Sequence, residues 1–320
     1  MQIRRERDAL AFQVDHSHAG HDCQWVLINL LRLREKEAAA AIAQSQVRIG
    51  KRVAQTGDIL RAGDTVRAFV VGGPKADGMT ASEPEPMMES LDVLYEDEHV
   101  LVVNKRAGLI MYPGEEQATP TLAHVVAGHY AVTGQDVYVR AVHRLDRDTT
   151  GACVYAKHLI ALRILSGQLE SRRLQREYLA LVRGTPSVRR GVIDKELGRD
   201  RHVAGRMRVN PGGQRAVTEY TTLWTDGRFS LLLCNLLTGR MHQIRVHLSS
   251  IGLPILGDSL YGAPSPVIGR QALHALRVRF ADVFTDETVI VGAPLPKDLR
   301  DAAADIGFSL DEVATLKENG

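Results

Sequence analysis

The spacing of apolar and polar positions divides the chain into a small N-terminal unit and a large unit that begins near Leu91. In the small unit, over residues 11–70, helical and strand-like spacings follow one another. They predict, in chain order, helices over 24–33 and 34–42, a hairpin over 47–53 that turns at Gly50, and a turn over 60–66 that leads into a strand. The pattern therefore indicates a small α+β unit.

The large unit combines several strand-like runs with fewer helical ones. Two apolar runs, 92–95 and 99–104, flank a short acidic turn and predict a β-hairpin, and Thr121 can cap a helix that reaches about Tyr130. The remaining patterns predict helices over 158–171 and 240–250 and strands over 177–183, 191–196, 215–224, 229–237, 274–280 and 287–291. This order predicts an α+β fold with a mixed, mainly antiparallel central sheet flanked by helices.

Between the two units lies a stretch of different composition. Residues 72–89 are rich in Gly, Pro, Ser, Met and acidic side chains and show no periodicity, which is typical of a flexible linker. A chain of 320 residues is also long for a single core and favours two or three domains. We therefore expect a first domain over 1–70, a linker over 71–90, a second domain over 91–305 and a C-terminal tail over 306–320.

Composition argues against several classes of protein. No apolar run approaches the ~18 residues that a membrane span needs, and the first residues lack the apolar core of a secretion signal. The three cysteines, Cys23, Cys153 and Cys234, lie far apart, which argues against both a disulfide framework and a structural zinc site. We expect a protein of the reducing cytoplasm that has no membrane partner.

Charge is distributed unevenly along the chain, although the net charge is only +2. Between Arg140 and Arg215 there are 17 Lys and Arg against 7 Asp and Glu, so the rest of the chain carries a net charge of −8. Much of that negative charge lies in residues 77–98, which contain acidic side chains and no Lys or Arg. A basic central region beside an acidic segment fits a polyanionic partner, and the alternative is a solvated charged surface.

The most informative short stretch is residues 143–151, His-Arg-Leu-Asp-Arg-Asp-Thr-Thr-Gly. It places Asp146 before a turn in which Gly151 allows a positive φ and Asp and Thr side chains can form local hydrogen bonds. The flanking runs, 139–142 and 152–155, are apolar-rich, so the loop is predicted to link two core strands. An enzyme would place a nucleophilic carboxylate on such a braced loop, whereas the local chemistry alone also fits an ordinary surface turn.

Three later segments carry further candidate residues. Tyr178 lies on one face of a predicted strand, where its ring could stack on a base or could simply fill the core. Arg245 and His242 lie three residues apart on one face of the predicted helix, where an arginine among apolar residues needs a carboxylate or phosphate partner. Asp258 lies in a Gly- and Pro-rich loop over 252–262, and we expect it to accept hydrogen bonds from backbone amides there.

Taken together and in this order, these segments resemble the RluA-type family of pseudouridine synthases over about residues 91–300. The stretches that carry the resemblance are 143–151, the strand of Tyr178, 237–248 (Leu-Thr-Gly-Arg-Met-His-Gln-Ile-Arg-Val-His-Leu), 257–262 (Gly-Asp-Ser-Leu-Tyr-Gly), 270–275 and 293–296. The chain departs from the family pattern in the loop over 105–113, at Arg176, where lysine is common, and at Met241, where threonine is common. The N-terminal unit resembles the S4 RNA-binding module more loosely, with a cap that has no RNA role as the alternative.

The resemblance implies a pseudouridine synthase fold that follows a small S4-like domain, and an enzyme that isomerises specific uridines in structured RNA. Asp146 would be the nucleophile, at either C1′ of the ribose or C6 of the uracil, and Arg245 would oppose the effect of burial on its pKa. Tyr178 would stack on the flipped base, and Arg144 would fill the space that the base leaves. The positions implied to contact the RNA or the base are His143, Arg144, Arg240, His242, Gln243, Leu248 and Lys105.

The resemblance implies no metal, nucleotide or redox cofactor, and it leaves the target RNA open. A large-subunit (23S-type) ribosomal RNA is favoured by the S4-like unit, transfer RNA is a second option, and nothing in the sequence points to more than a monomer. Two other functions compete with the enzyme: a non-catalytic RNA-binding or RNA-folding factor on the same scaffold, and a metal-dependent nuclease that uses Asp146 and Asp148.

Overall fold

The computed structural model describes residues 2–6, 9–69, 89–112, 120–135 and 139–310. Most of the predicted linker over 71–90 and the greater part of the predicted tail over 306–320 lie outside these residues. None of the helices in the described part of the chain is long and apolar enough to cross a membrane.

The N-terminal unit forms an antiparallel sheet with two short helices. Its elements are β1 (Arg4–Glu6), β2 (Ala9–Gln13), α1 (Cys23–Asn29), α2 (Glu35–Ala43), β3 (Val47–Ile49), β4 (Arg52–Val53) and β5 (Thr65–Ala68). The strands lie in the order β1-β2-β5-β3-β4, and the predicted hairpin turns at Gly50, where φ is +61°. Leu10, Leu27 and Val66 are fully buried in the core between the sheet and the helices.

Two features of this unit differ from the sequence prediction. The first helix ends at Asn29 rather than near 33, because the chain reverses through Arg32 in the left-handed region at φ +56°. Strand β1 was not predicted because residues 2–8 are dominated by charged side chains, and β2 was not predicted because its short apolar run, Ala-Leu-Ala-Phe, shows no strand alternation. The predicted hairpin and closing strand are confirmed.

The large unit is built on one long mixed sheet. The strands of the large unit are β6 (Val93–Glu96), β7 (Val100–Lys105), β8 (Arg140–Ala141), β9 (Thr150–Ala156), β10 (Gln175–Arg183), β11 (Arg190–Asp194), β12 (Leu197–Arg199), β13 (Met207–Val209), β14 (Val217–Thr225), β15 (Phe229–Leu236), β16 (Leu273–Ala281) and β17 (Thr288–Gly292). Its helices are α3 (Leu122–Val132), α4 (Leu159–Glu170), α5 (Gln243–Ser249) and α6 (Lys297–Asp305).

The main sheet runs β11-β14-β15-β10-β16-β9-β7-β6, with β17 beside β16 and β8 beside β9. Among the described strands of this sheet, the pairing of β9 with β16 is parallel and the other pairings are antiparallel. Strands β12 and β13 form a separate hairpin. The predicted α+β class with a mixed, mainly antiparallel sheet is confirmed.

Three helices of the large unit show which helices and helix boundaries local sequence signals predict. Thr121 caps α3 as predicted, because its side chain accepts a hydrogen bond from the backbone of His124. Helix α5 was predicted from residue 240, but it begins at Gln243, because His242 takes the left-handed conformation at φ +54°. Helix α6 was not predicted from the sequence.

The two units contact each other through α4. Ile160 of α4 lies in the core of the N-terminal unit, and the Arg163 guanidinium pairs with Glu37 of α2, with Nη2 2.8 Å from Oε1. His99 lies within hydrogen-bond distance of the Ile3 carbonyl oxygen, with Nε2 at 3.2 Å. The N-terminal unit is therefore held against the large unit by apolar, ionic and polar contacts.

Candidate active site

Asp146 lies on a short loop between β8 and β9, as the sequence pattern predicts. A backbone hydrogen bond from Thr149 N–H to the Asp146 carbonyl, 3.1 Å long, closes the turn. The Asp146 side chain is 16% exposed, so solvent and a substrate can reach its carboxylate. The side chain of the neighbouring Leu145 is buried in the core and thereby anchors the loop.

A buried lysine on β7, the strand that pairs with β9, supports the loop. Lys105, at the end of β7, donates from Nζ to the carbonyl oxygens of Arg147 at 2.6 Å and Thr149 at 3.0 Å. Arg270 donates from Nη1 to the Asp148 carbonyl at 3.0 Å. Because three consecutive carbonyls accept bonds from two cations, the backbone after Asp146 has little freedom to move.

Gly151 is required where the loop joins β9. Its φ is +109°, and a Cβ added there would lie 2.1 Å from the carbonyl oxygen of Ala275 on β16. This close approach occurs at the parallel pairing of β9 with β16, where Gly151 faces Ala275. A larger residue would push the two strands apart, so the glycine is needed where the Asp146 loop ends and β9 begins.

Arg245 lies between two carboxylates. Its Nη1 donates to Oδ2 of Asp146 at 3.1 Å, while Nε and Nη2 donate to Asp258 at 2.7 and 2.9 Å. Burial works against the charge of Arg245, but the hydrogen bonds and charges of Asp258 and Asp146 raise its pKa above the usual range. Arg245 therefore has a carboxylate partner, which is one of the two kinds of partner that the sequence predicted for it.

Asp258 has two roles, of which the sequence indicated one. Its Oδ1 accepts hydrogen bonds from the backbone N–H groups of Leu260 at 3.1 Å and Tyr261 at 3.2 Å, which confirms the predicted loop-bracing role. Its bidentate pairing with Arg245 was missed. The sequence contains no local signal for it, because the complete burial of the Asp258 side chain, which requires a cationic partner, follows from the path of the loop.

Tyr178 lies close to the loop but inside the core. The residue is 3% exposed and packs among apolar side chains of the large unit. Burial raises the pKa of Tyr178 to about 12, and the charge of Asp146 acts in the same direction. The structure thus shows the core-filling alternative, and stacking of this ring on a base stays a prediction.

His242 faces Asp146 although it precedes the helix. Its Nε2 lies 4.0 Å from Oδ2 of Asp146, and its Nδ1 lies 2.8 Å from the hydroxyl oxygen of Tyr261. Burial lowers the pKa of His242, against the opposing charge of Asp146. The sequence spacing placed His242 beside Arg245 on one face of the predicted helix, but the residue precedes α5, and its position near Asp146 was not predicted.

Two residues that were predicted to contact RNA lie in the interior of the protein. Leu248 is fully buried in the core, and Gln243 is 2% exposed. The Gln243 side chain accepts from the Thr238 hydroxyl at 2.8 Å and donates to the Val217 carbonyl at 2.9 Å. In the described structure Gln243 links α5 to β14 and Leu248 packs in the core, so contact of either side chain with RNA stays a prediction.

His143 and Lys105 are also buried rather than displayed to RNA. His143 accepts a hydrogen bond from Val154 N–H at 3.3 Å, and burial lowers its pKa to about 3. Burial likewise lowers the pKa of Lys105 to about 8, while its ammonium group is used by the loop carbonyls. In the described structure His143 and Lys105 therefore bind backbone groups in and beside the Asp146 loop, and their contact with RNA stays a prediction.

Two of the predicted RNA-contacting residues are open to solvent. Arg144, two residues before Asp146, is exposed, as is Arg240, which donates from Nε to the Arg215 carbonyl at 3.1 Å. Among the residues that the structure describes, no group of three or more His, Cys, Asp or Glu side chains is arranged to hold a metal ion. The further carboxylate that a nuclease would need beside Asp146 and Asp148 is not found in that part of the chain.

Comparisons with known proteins agree on one family. The family model described as RNA pseudouridylate synthase matches residues 99–250, which include the loop of Asp146 and helix α5. The RNA pseudouridine synthase YhcT of Bacillus subtilis, itself described as uncharacterized, is 41% identical over 87% of this chain and 92% of its own length. The ribosomal large subunit pseudouridine synthase D of Nitrosomonas europaea is 37% identical over 74% of this chain and 70% of its own.

A solved structure supports the same fold. The human RNA pseudouridylate synthase domain containing 1 superposes with a TM-score of 0.55 at 26% identity, over 74% of this chain and 98% of its own. The matched family model spans three of the segments on which the sequence resemblance rested, 143–151, the strand of Tyr178 and 237–248, and the 41% identical relative extends the match along most of the chain. The chain belongs to the RNA pseudouridine synthases, of the RluA type.

Proposed function

We propose that this enzyme converts uridine to pseudouridine in large-subunit ribosomal RNA and that Asp146 is its nucleophile. The observation that carries the proposal is the 3.1 Å contact of Arg245 Nη1 with Asp146 Oδ2, on a loop that is open to solvent. A guanidinium at this distance favours the ionised carboxylate, which is the form that can attack. The same arginine is held by Asp258, so it stays in place when Asp146 reacts.

The reaction breaks the bond between N1 of uracil and C1′ of the ribose and forms a bond between C5 and C1′. Asp146 would add either to C1′, which releases the base, or to C6 of the ring. Either route ends with loss of the proton from C5 and gain of a proton at N1, so no electron donor or acceptor is consumed. The uridine must first leave its stack, at a cost of a few kcal/mol.

Three further residues are proposed to act on the RNA. The exposed Arg144 would enter the space that the flipped uridine leaves, and the exposed Arg240 would contact a phosphate. Tyr178 would stack on the flipped base if the bound RNA uncovers one face of its ring. These roles follow from position and chemistry beside Asp146.

The choice of ribosomal RNA as target rests on two supports. Several relatives, from Nitrosomonas europaea and Neisseria meningitidis among others, are named ribosomal large subunit pseudouridine synthase D. The N-terminal unit, residues 1–70, has the helix-helix-hairpin-strand order of an S4-like domain and would supply a second RNA contact beside the catalytic domain over 91–305. We place the enzyme in the cytoplasm as a monomer, where its three buried free cysteines would stay reduced.

Substitution of the nucleophile tests the reaction. Asp146→Asn should lower the rate of tritium release from C5-tritiated ribosomal RNA by about 10⁴-fold or more, while RNA affinity changes little. Asp148→Asn is the matched control on the same loop and should retain most of the rate. An Asp146→Asn enzyme with full activity would overturn the assignment.

The non-catalytic alternative has a different signature. A pure RNA-binding or RNA-folding factor would function in cells equally well with Asp146→Asn, and no uridine would lose its modification when the protein is deleted. Mapping pseudouridine by chemical adduct stops, in cells with and without the protein, separates the two functions and identifies the modified position.

A further inference from the structure

Tyr261 connects the β12–β13 hairpin to the nucleophile through His242. Its hydroxyl oxygen lies 2.7 Å from the backbone nitrogen of Met207 on β13 and 2.8 Å from Nδ1 of His242. The tyrosine is 8% exposed, and its ring meets the imidazole edge to face, with centroids 5.6 Å apart. The hydroxyl is therefore held between two fixed nitrogen atoms.

The two contacts determine where the protons lie. The Met207 amide nitrogen can only donate, so the Tyr261 oxygen accepts there and keeps its own proton for a second partner. Among the residues that the structure describes, that partner is Nδ1 of His242, which must then accept. A neutral imidazole that accepts at Nδ1 carries its proton on Nε2.

The protonated Nε2 is then the ring nitrogen near the nucleophile, since it lies 4.0 Å from Oδ2 of Asp146. In the other tautomer, a nitrogen lone pair would face the carboxylate, and the buried Tyr261 proton would lose its acceptor. Both changes raise the energy. We propose that Tyr261 is a positioning residue that holds His242 in the Nε2–H tautomer, so that the N–H group of a neutral imidazole, and not a nitrogen lone pair, lies near Asp146.

The electrostatic surroundings agree with a neutral imidazole. Burial, together with the charges of Arg245 and Arg144, opposes protonation of His242, while Asp146 and Asp258 favour it, and the pKa of His242 is lowered as a result. A neutral N–H at 4.0 Å stabilises the carboxylate through a charge–dipole attraction. It does not engage an oxygen lone pair as closely as the 3.1 Å bond from Arg245 does, so one oxygen can still attack.

This inference rests on the proposed function, since it gives His242 a role toward Asp146 as nucleophile. Nuclear magnetic resonance of protein labelled with ¹⁵N-histidine tests the tautomer without any RNA. In the unsubstituted enzyme, the His242 resonances, identified by their absence in His242→Gln, should show a protonated Nε2 and an unprotonated Nδ1. In Tyr261→Phe the two nitrogen shifts should move toward each other as the tautomers exchange.

The matched control is Tyr130→Phe, which removes a buried hydroxyl that has no hydrogen-bond partner among the described residues. It should leave both the His242 shifts and the reaction rate unchanged. Tyr261→Phe should lower kcat about tenfold on a tritiated large-subunit ribosomal RNA transcript, with KM unchanged. Tyr261→Phe with unchanged His242 shifts would overturn the proposal, whatever its rate.

Two substitutions at His242 keep the proposal testable if Tyr261→Phe fails to fold. Glutamine places an amide nitrogen near the position of Nε2, whereas asparagine places one near Nδ1. At φ +54° asparagine is the better-tolerated residue, so a purely structural role predicts that His242→Asn is the more active variant. Our proposal predicts the reverse, with His242→Gln about tenfold faster than His242→Asn; equal rates or the opposite order would overturn it.

Failure of the proposed function looks different. If Asp146 were not the nucleophile, Asp146→Asn would remain active while the His242 tautomer and its response to Tyr261→Phe were still observed. If only the tautomer inference fails, Asp146→Asn is inactive and the His242 shifts do not respond to loss of the Tyr261 hydroxyl.

Discussion

Asp258 binds Arg245 through both carboxylate oxygens, at 2.7 Å from Nε and 2.9 Å from Nη2, and its side chain is completely buried. This pairing leaves Nη1 as the guanidinium nitrogen that meets Asp146 at 3.1 Å. The direction of the active-site arginine is thus determined by a residue that does not itself line the reacting atoms.

Loss of the Asp258 charge should affect both stability and rate. In Asp258→Asn, Arg245 remains buried without its main counterion, so the free energy of unfolding should fall by about 3 kcal/mol and kcat by at least about tenfold. Urea unfolding and tritium-release kinetics measure the two effects. The control is Asp301→Asn, which breaks the exposed pair with Lys297 and should change stability by less than about 0.5 kcal/mol. Equal effects of the two substitutions would show that the Asp258 pairing contributes nothing special.

A methyl group at Gly151 should be far more disruptive than one at a comparable glycine. Gly151→Ala would place Cβ 2.1 Å from the Ala275 carbonyl oxygen, whereas Gly227 also has a positive φ, +90°, but faces open space. We expect Gly227→Ala to cost about 1–2 kcal/mol from backbone strain alone. Gly151→Ala should cost more and should also lower kcat, because the Asp146 loop moves with the strand. Thermal unfolding measures the loss of stability in both variants. Similar losses in the two would contradict the close approach of Gly151 to Ala275.

The buried, neutral His143 should make the protein sensitive to acid. Its pKa is about 3 in the folded state against 6.5 for the free side chain, so between these values the unfolded state binds one more proton and stability falls as the pH is lowered. From pH 7 to pH 5 this residue alone should cost about 2 kcal/mol. His143→Gln keeps an acceptor for Val154 N–H and removes the titration. Between pH 7 and pH 5, its free energy of unfolding should therefore fall by about 2 kcal/mol less than that of the unsubstituted protein. Urea unfolding at the two pH values makes the comparison, and identical pH slopes would refute it.

The exposed Arg240 should contribute to RNA affinity through charge. Removal of one phosphate contact weakens binding and reduces the dependence of log K on log salt by about 0.7–0.9. Arg240→Ala should show both effects at constant kcat, measured by filter binding to ribosomal RNA at several salt concentrations. Arg183→Ala is the control, since this exposed arginine lies at the end of β10, five residues beyond Tyr178. An unchanged salt dependence of RNA binding in Arg240→Ala would show that Arg240 does not contact a phosphate of the RNA.

The sequence pattern predicted the sheet, and the family resemblance implied that Arg245 lies near Asp146, but neither distinguished exposed from buried polar residues. Gln243 and His143 belong to the stretches that resemble the family, Lys105 begins the loop that departs from it, and each was expected to contact RNA. In the structure each satisfies backbone groups in the interior. Short motifs do not reveal this difference, because a side chain that supports a catalytic loop and one that touches the substrate occur at similar spacings.

Backbone conformation explains the other differences. A helical pattern over 240–250 gave no sign that His242 adopts a left-handed conformation, since histidine is not a residue that marks such turns as clearly as glycine does. The pairing of Arg245 with Asp258 also depends on the path of the loop between them, which apolar spacing does not describe. Gly151, in contrast, was predicted to allow a positive φ, and the structure confirms it.

The supports of the Asp146 loop come from distant parts of the chain, with Arg270 donating to the Asp148 carbonyl and β16 lying beside Gly151. Such contacts of high sequence separation form late in folding. At a synthesis rate of about 5–20 residues per second, Arg270 leaves the ribosome roughly 6–25 s after Asp146. In a nascent chain, the Asp146 loop therefore lacks its contacts with Arg270 and β16 during this interval, although Lys105 has already been synthesised.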